Sequence, residues 1–214
     1  LRPRRARSPA TAAPAPLLRF AIAGALGREG ATRRALRAAR ARGVPRRACE
    51  ETALMLVLYA GYPAALEALR MLNEVWPGRA RGGREGDPGA WRRRGEALCR
   101  RVYGPSYSRL VARVRSLHPD LARCMVEQGY GRVLSRPGLG VRAREALTVA
   151  VLAATGRERQ LVSHLEGARR VGVTGAGARH ALRVALAAGA PRATVRRAWG
   201  RAWGAGVDPM GGTP

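Results

Sequence analysis

One helical unit of this chain is written twice. Gly27-Arg28-Glu29 returns as Gly156-Arg157-Glu158, and Gly43-Val44-Pro45 returns as Gly172-Val173-Thr174, both at an offset of 129 residues. Further on, Ala60-Gly61-Tyr62-Pro63-x-Ala65 returns as Ala188-Gly189-Ala190-Pro191-x-Ala193 at 128, so one residue has been lost in between. Glycine and proline recurring at one fixed separation mark the ends of recurring helices. Chance similarity between two alanine-rich stretches would have to reproduce the same stops in three places. The chain is therefore expected to hold two copies of one helical unit, about 17–76 and about 146–203.

Composition agrees with helices. Alanine dominates an apolar fraction of 46%, and aromatics are only 5% of 214 residues. Small side chains with few aromatics favour closely packed helices over sheets. No alternating strand pattern occurs anywhere. Arginine interrupts the apolar runs, so no membrane span is expected. The apolar residues are too periodic for a wholly disordered chain.

Forty basic against 14 acidic residues give a formal charge of +26, and every basic residue is arginine. They are spread from Arg2 to Arg201 rather than gathered on one face. Arginine, alanine, glycine and proline enriched together point to the composition of the coding sequence, not to a nucleic-acid surface. Such a charge still attracts anions at low salt. The three cysteines, Cys49, Cys99 and Cys124, form no CxxC, so neither a redox pair nor a zinc knuckle is signalled. Reduced, structural thiols in a cytoplasmic protein are expected.

Residues 1–16 hold four prolines, four arginines and no acid, and read as a flexible tail. The composition also resembles an organelle transit peptide, without the amphipathic face. Helical patterns begin near Leu17. The stretch from Arg46 to Tyr59 is apolar nearly all round, which predicts a buried helix. Gly61-Tyr62-Pro63 breaks it, and Pro63 suits the first turn of the next. Residues 77–90, with five glycines and two prolines, read as a linker between a first copy (17–76) and a second unit (91–204). Helices are expected to resume at about Trp91. Pro105 and Pro119 read as first-turn prolines, and Gly129 as a helix stop. After a turn at Ser135–Gly140 come helices over about 142–155, 158–171, 175–188 and from Pro191 to Trp203. Residues 205–214 read as a C-terminal tail.

The copies differ where chemistry is possible. His164 of the second copy corresponds to Ala35 of the first, and Glu145 to Pro16. Tyr59 of the first copy becomes Ala187 in the second. His164 shares a helical stripe with Leu161, Leu165, Ala168 and Val171, and Glu145 one with Val149 and Leu152. A carboxylate and an imidazole facing inward from consecutive antiparallel helices can meet and exchange protons with a substrate. Two plainer readings stay open. A carboxylate in a first helical turn is favoured by the macrodipole, and an inward histidine can be a hydrogen-bonded core residue.

Four motifs carry a resemblance. They are Tyr130-Gly131-Arg132-Val133-Leu134-Ser135-Arg136-Pro137-Gly138-Leu139, Arg144-Glu145-Ala146-Leu147-Thr148-Val149-Ala150, Gln160-Leu161-Val162-Ser163-His164-Leu165-Glu166-Gly167-Ala168 and Gly172-Val173-Thr174. Together they resemble the carboxymuconolactone decarboxylase family, well over 91–192 and partially over 17–76. The resemblance implies an all-α, alkylhydroperoxidase D-like helical bundle, here with a degenerate internal duplication. It also implies a homo-oligomer, trimeric or hexameric, and no cofactor or metal. One branch of the family decarboxylates a γ-carboxymuconolactone. The other reduces peroxides with a CxxC pair followed by a histidine. Those cysteine positions are Arg157 and Gln160 here, so a dithiol peroxidase, the antioxidant alternative, is disfavoured.

Glu145 and His164 fall where the family places its proton-relay pair. The expected activity is carboxy-lyase-like: cofactor-free decarboxylation or lactone processing of a small unsaturated carboxylic acid. Arg136, Arg142 and Arg144, with Tyr130, are the candidate substrate-binding residues, and Arg144 is preferred because it adjoins Glu145. The helix after Gly172 reads Gly175-Ala176-Gly177-Ala178-Arg179 where the family usually places acidic residues, which leaves the substrate open. A catalytically silent helical oligomer or small-molecule binder is the competing reading. No specific nucleic-acid partner and no membrane partner are expected.

Overall fold

Every helix–helix corner of the repeat turns on a glycine with positive φ. In the computed structural model, which describes residues 12–80, 82 and 86–204, the values pair across the two halves. Gly27 and Gly156 have φ of 65° and 69°, Gly43 and Gly172 68° and 88°, and Gly61 and Gly189 82° and 95°. Any side chain at these positions is strained, which is why these glycines punctuate the sequence. The caps match as well. Arg28 N donates to Ala23 O and Arg157 N to Leu152 O, both at 2.9 Å, and Val44 N donates to Ala39 O as Val173 N does to Ala168 O.

The elements in order are α1 (Ala15–Ala25), α2 (Glu29–Ala41), α3 (Arg46–Val75), α4 (Pro88–Tyr103), a 3₁₀ turn, α5 (Tyr107–Leu117), α6 (Pro119–Cys124), a π-helical segment (Met125–Leu134), α7 (Val141–Ala154), α8 (Glu158–Arg170), α9 (Gly175–Ala187) and α10 (Arg192–Trp203). Among the described residues there is no strand, so the all-α expectation holds. Helix α8 lies 129 residues after α2 at both ends, and α9 begins 129 after α3. The halves share one core. Helix α1 packs on α7 and α9 as well as on α2 and α3, and one buried cluster runs from Leu17, Leu18 and Phe20 through Leu56 and Leu72 to Leu147, Leu161, Leu165 and Leu182.

Four details differ from the sequence reading. Helix α4 opens at Pro88, three residues early, because Asp87 Oδ1 accepts from Ala90 N at 2.7 Å and proline suits the first turn. Gly129 is no stop. It lies inside the π-helical segment, whose wider turn carries the chain on to Leu134. The buried face of α3 includes polar groups where an all-apolar helix was expected. Glu50, Glu51 and Thr52 are buried while Leu58 is 36% exposed, because arginines partner the carboxylates.

The fourth is that α3 is, by length and composition alone, apolar enough to cross a membrane, which the sequence reading excluded. Here it bends at Gly61 and packs Ala53, Met55, Leu56, Ala68 and Leu72 into the core. The two tails read at 1–16 and 205–214 fall largely outside the described residues. Of the first, residues 12–16 are described and are not a tail: Ala13 and Pro16 are buried, and α1 begins at Ala15.

Candidate functional site

Helix α7 is buried from Arg144 to Ala153. Successive residues of a helix point about 100° apart, so Arg144 and Glu145 leave α7 in different directions and build two clusters.

The first cluster gathers on Glu145. His164 Nδ1 lies 3.0 Å from Glu145 Oε2, joining α8 to α7, with the residues 8% and 3% exposed. With Glu145 as the carboxylate, Nδ1–H donates and Nε2 is left for other chemistry. Gly167, one turn after His164, makes the packing possible. A Cβ there would meet Val102 Cγ1 at 2.6 Å and Glu145 Oε2 at 3.2 Å. Helix α4 can therefore close over α8 and bring Tyr103 edge-on to the imidazole, with ring centroids 6.1 Å apart. Tyr130 donates its hydroxyl hydrogen to the Tyr103 hydroxyl at 2.7 Å. Burial pushes the Tyr103 phenol up, the Tyr130 hydrogen bond opposes this, and the nearby Glu145 charge adds to it. Cys99 on α4 is pushed up to about 12, first by burial and then by Glu145.

The second cluster gathers on Glu51 of α3, which is fully buried. Its carboxylate accepts from Arg136 Nε at 3.1 and 3.3 Å and from Arg144 Nη2 at 3.0 Å, and it pairs with Arg47 at 2.7 Å. Arg144 also donates to the carbonyls of Arg136 at 2.8 Å and Leu139 at 3.3 Å, which ties the Arg136-Pro137-Gly138-Leu139 turn to α7. Gly138 has φ 100°, and a Cβ there would meet Arg47 Cγ and Glu51 Cγ at 2.9 and 3.0 Å. The remaining nitrogen, Arg144 Nη1, is buried and has no hydrogen-bond partner among the described residues. Burial lowers the Arg144 guanidinium from its ordinary value, and Glu51 opposes that.

Tyr59 stands between the clusters. Its hydroxyl is 2.7 Å from Thr148 Oγ1, on α7 three residues past Glu145. Burial raises its phenol strongly, the Thr148 bond opposes this, and both the Glu145 and the Arg144 charges reach it. Beside it, a narrow gap lined by Ala21, Thr52, Met55, Leu56, Leu147 and Val151 leaves no room for a water molecule.

Of the residues singled out in the sequence, Glu145, His164 and, through Tyr103, Tyr130 come together. Arg144 and Arg136 instead gather on Glu51. Glu51, Tyr59 and Tyr103 were missed as site residues. Glu51 had a signal, a carboxylate in the most apolar stretch of an acid-poor chain. The pairing of Tyr59 with the second copy had none, because it depends on how the halves dock.

Arg157, just before α8, and Gln160, in its first turn, occupy the positions where the peroxide-reducing branch has cysteines. The three cysteines are free, Cys49 and Cys99 buried and Cys124 exposed. Among the described residues, no three His, Cys, Asp or Glu side chains converge on a cation-sized space.

Residues 119–202 match the family model described as the carboxymuconolactone decarboxylase family. The match runs from α6 through α10 and contains Tyr130, Arg136, Arg144, Glu145 and His164. Glu51, Tyr59 and Tyr103 lie outside it. No curated protein matches the chain.

Proposed function

We propose that this chain, which carries a carboxymuconolactone decarboxylase family domain over residues 119–202, is an acid–base enzyme acting on a small unsaturated carboxylic acid or lactone. The observation that carries this reading is the buried Glu145–His164 hydrogen bond. A carboxylate on Nδ1 fixes the orientation of the imidazole and leaves Nε2 to exchange a proton with a bound acid. Decarboxylation needs little more. The C–C bond to the leaving CO₂ breaks, and its electron pair moves into the conjugated lactone carbonyl as an enolate. A proton from His164 Nε2 then quenches the carbanion. Arg144 suits a role in holding substrate charge, since its Nη1 is a buried donor without a partner among the described residues. Arg136 would act with it, and Tyr130, through Tyr103, would wall the imidazole.

The competing reading, a catalytically silent helical bundle, is favoured by one observation: the pair is nearly closed to solvent. Glu145→Gln, His164→Ala and the double variant separate the two. If the pair transfers a proton, each single change lowers turnover of unsaturated lactone acids about 10²-fold or more. The double variant is then little worse. If the pair is structural, the melting temperature falls and activity per folded molecule is unchanged. Self-association as a trimer or hexamer and a cytoplasmic location belong to the same proposal. The solvent-facing Tyr62 and Leu66 of α3 support the former, and light scattering of the intact protein tests it.

A further inference from the structure

An open space lies away from Glu145 and His164. It is a groove of roughly 470 Å³ between α1, α2 and α9, within the ~300–1,000 Å³ usual for small-ligand pockets. Carried over by the 129-residue repeat, its walls include the counterparts of residues on and beside His164. Arg19 stands for Thr148, Ile22 for Val151 and Ala35 for His164. The counterpart of Tyr59 falls on Ala187 or Ala188, both of which line the groove. The volume that Tyr59 and His164 fill in one half is thus vacated in the other. Helix α4 packs on α8 in the second half.

The vacated space has its own chemistry. Its floor is apolar, built from Ile22, Val184 and alanine methyls, and its rim carries Arg19, Arg28 and Arg34. Among the described residues no carboxylate lines it. Glu29, the nearest acid in sequence, pairs with Arg33 and Arg70. Arg28 is anchored, donating from Nη1 to Ala188 O at 2.7 Å. Among the described residues no ion pair neutralises Arg19 or Arg34, and burial, the Arg183 charge and then Arg19 lower the His180 pKa. An apolar floor under unneutralised guanidinium groups selects a ligand with a flat apolar body and an anionic head.

We propose that this groove is a second, non-catalytic binding site for a small aryl or alkenyl carboxylate, formed where the first repeat has lost the side chains that fill the equivalent space in the second. The site is independent of the Glu145–His164 reading and survives its failure.

Isothermal titration of the intact chain with trans-cinnamate tests it. Saturable one-to-one binding is expected. The double change Arg19→Gln/Arg34→Gln should weaken it about tenfold or more, and the neutral amide of the probe should lose a similar factor. Ala188→Trp, which fills the groove, should abolish binding. Ala188→Leu serves in its place if circular dichroism shows the tryptophan variant misfolded. Glu145→Gln should bind as the parent does. The control Arg92→Gln/Arg113→Gln, on α4 and α5, removes equal charge elsewhere and should change affinity less than about twofold. Equal weakening in the control, unchanged affinity in the filled variant, or no saturable binding would each overturn the proposal.

Discussion

The hydroxyls of Tyr59 and Thr148 lie 2.7 Å apart and join the two repeats beside Glu145. Neither residue has a counterpart in the other copy, since Tyr59 maps to alanine and Thr148 to Arg19. The polar centre is therefore a product of divergence. One repeat keeps the carboxylate and imidazole, and the other supplies the tyrosine that bonds Thr148 beside them. Glu51 repeats the pattern, reaching from α3 to the arginines of the second half.

Removing one hydroxyl of that pair should cost more than removing both. Tyr59→Phe leaves Thr148 buried without its partner, at about 1–2 kcal/mol, and Thr148→Val does the same to Tyr59. The double variant, with matched apolar groups, should recover most of the loss. Urea unfolding of the four proteins as a double-mutant cycle measures the coupling. Additive losses would mean that the hydroxyls do not bond.

The Glu51 cluster predicts an order of severity. Glu51→Ala should cost about 3–5 kcal/mol, because it leaves the buried Arg144 charge uncompensated, and Arg144→Met should approach that, because it removes the most buried partner of Glu51 and the donor to the Arg136 and Leu139 carbonyls. Arg136→Ala should cost much less, since Arg136 is 22% exposed and Glu51 keeps Arg47 and Arg144. Chemical denaturation midpoints give the order directly. Equal effects for Arg136 and Arg144 would contradict the burial difference.

The helices were legible in the sequence because their stops are chemical. Gly27, Gly43, Gly156 and Gly172 are required by positive φ, and their repetition fixed the boundaries of α2 and α8. The Glu145–His164 contact was legible because both residues sit on apolar stripes of consecutive helices. What could not be read was direction around a helix and contact between halves. Adjacency to Glu145 suggested one site for Arg144, yet one residue of helical rotation sends it to Glu51 instead. Gly129 looked like a stop because glycine ends helices more often than it sits in a π-helical turn.

Two glycines illustrate what only packing reveals. A Cβ on Gly95 would lie 1.9 Å from Val126 O, and one on Gly131 would lie 2.0 Å from Trp91 O. Helix α4 and the π-helical segment thus touch backbone to backbone, and neither side can yield by a rotamer change. Gly95→Ala and Gly131→Ala should each destabilise by about 3 kcal/mol or more, the upper end for overpacking. Gly200→Ala on α10 meets nothing within 4 Å and should stabilise by about 0.5–1 kcal/mol. Thermal melts of the three variants check the contrast.

The buried acids predict an alkaline limit and a thiol pattern. Burial pushes Cys49 up to about 11 and Cys99 up to about 12, from an ordinary 9.0, and raises the Tyr59, Tyr103 and Tyr130 phenols. Between the unfolded and folded values of each group, the folded chain holds the proton and the unfolded chain releases it. The stabilisation from these groups is thus complete below the unfolded thiol value and is lost as pH rises. The melting temperature should fall steadily from about pH 9 upward, and less steeply in Tyr103→Phe and Cys99→Ala. In the native protein at neutral pH, iodoacetamide should modify Cys124 quickly, while Cys49 and Cys99 react only through opening of the structure. Mass spectrometry of the time course reads one fast site and two slow ones. Rapid modification of Cys99 would show that α4 opens readily and exposes the Glu145–His164 pair beneath it.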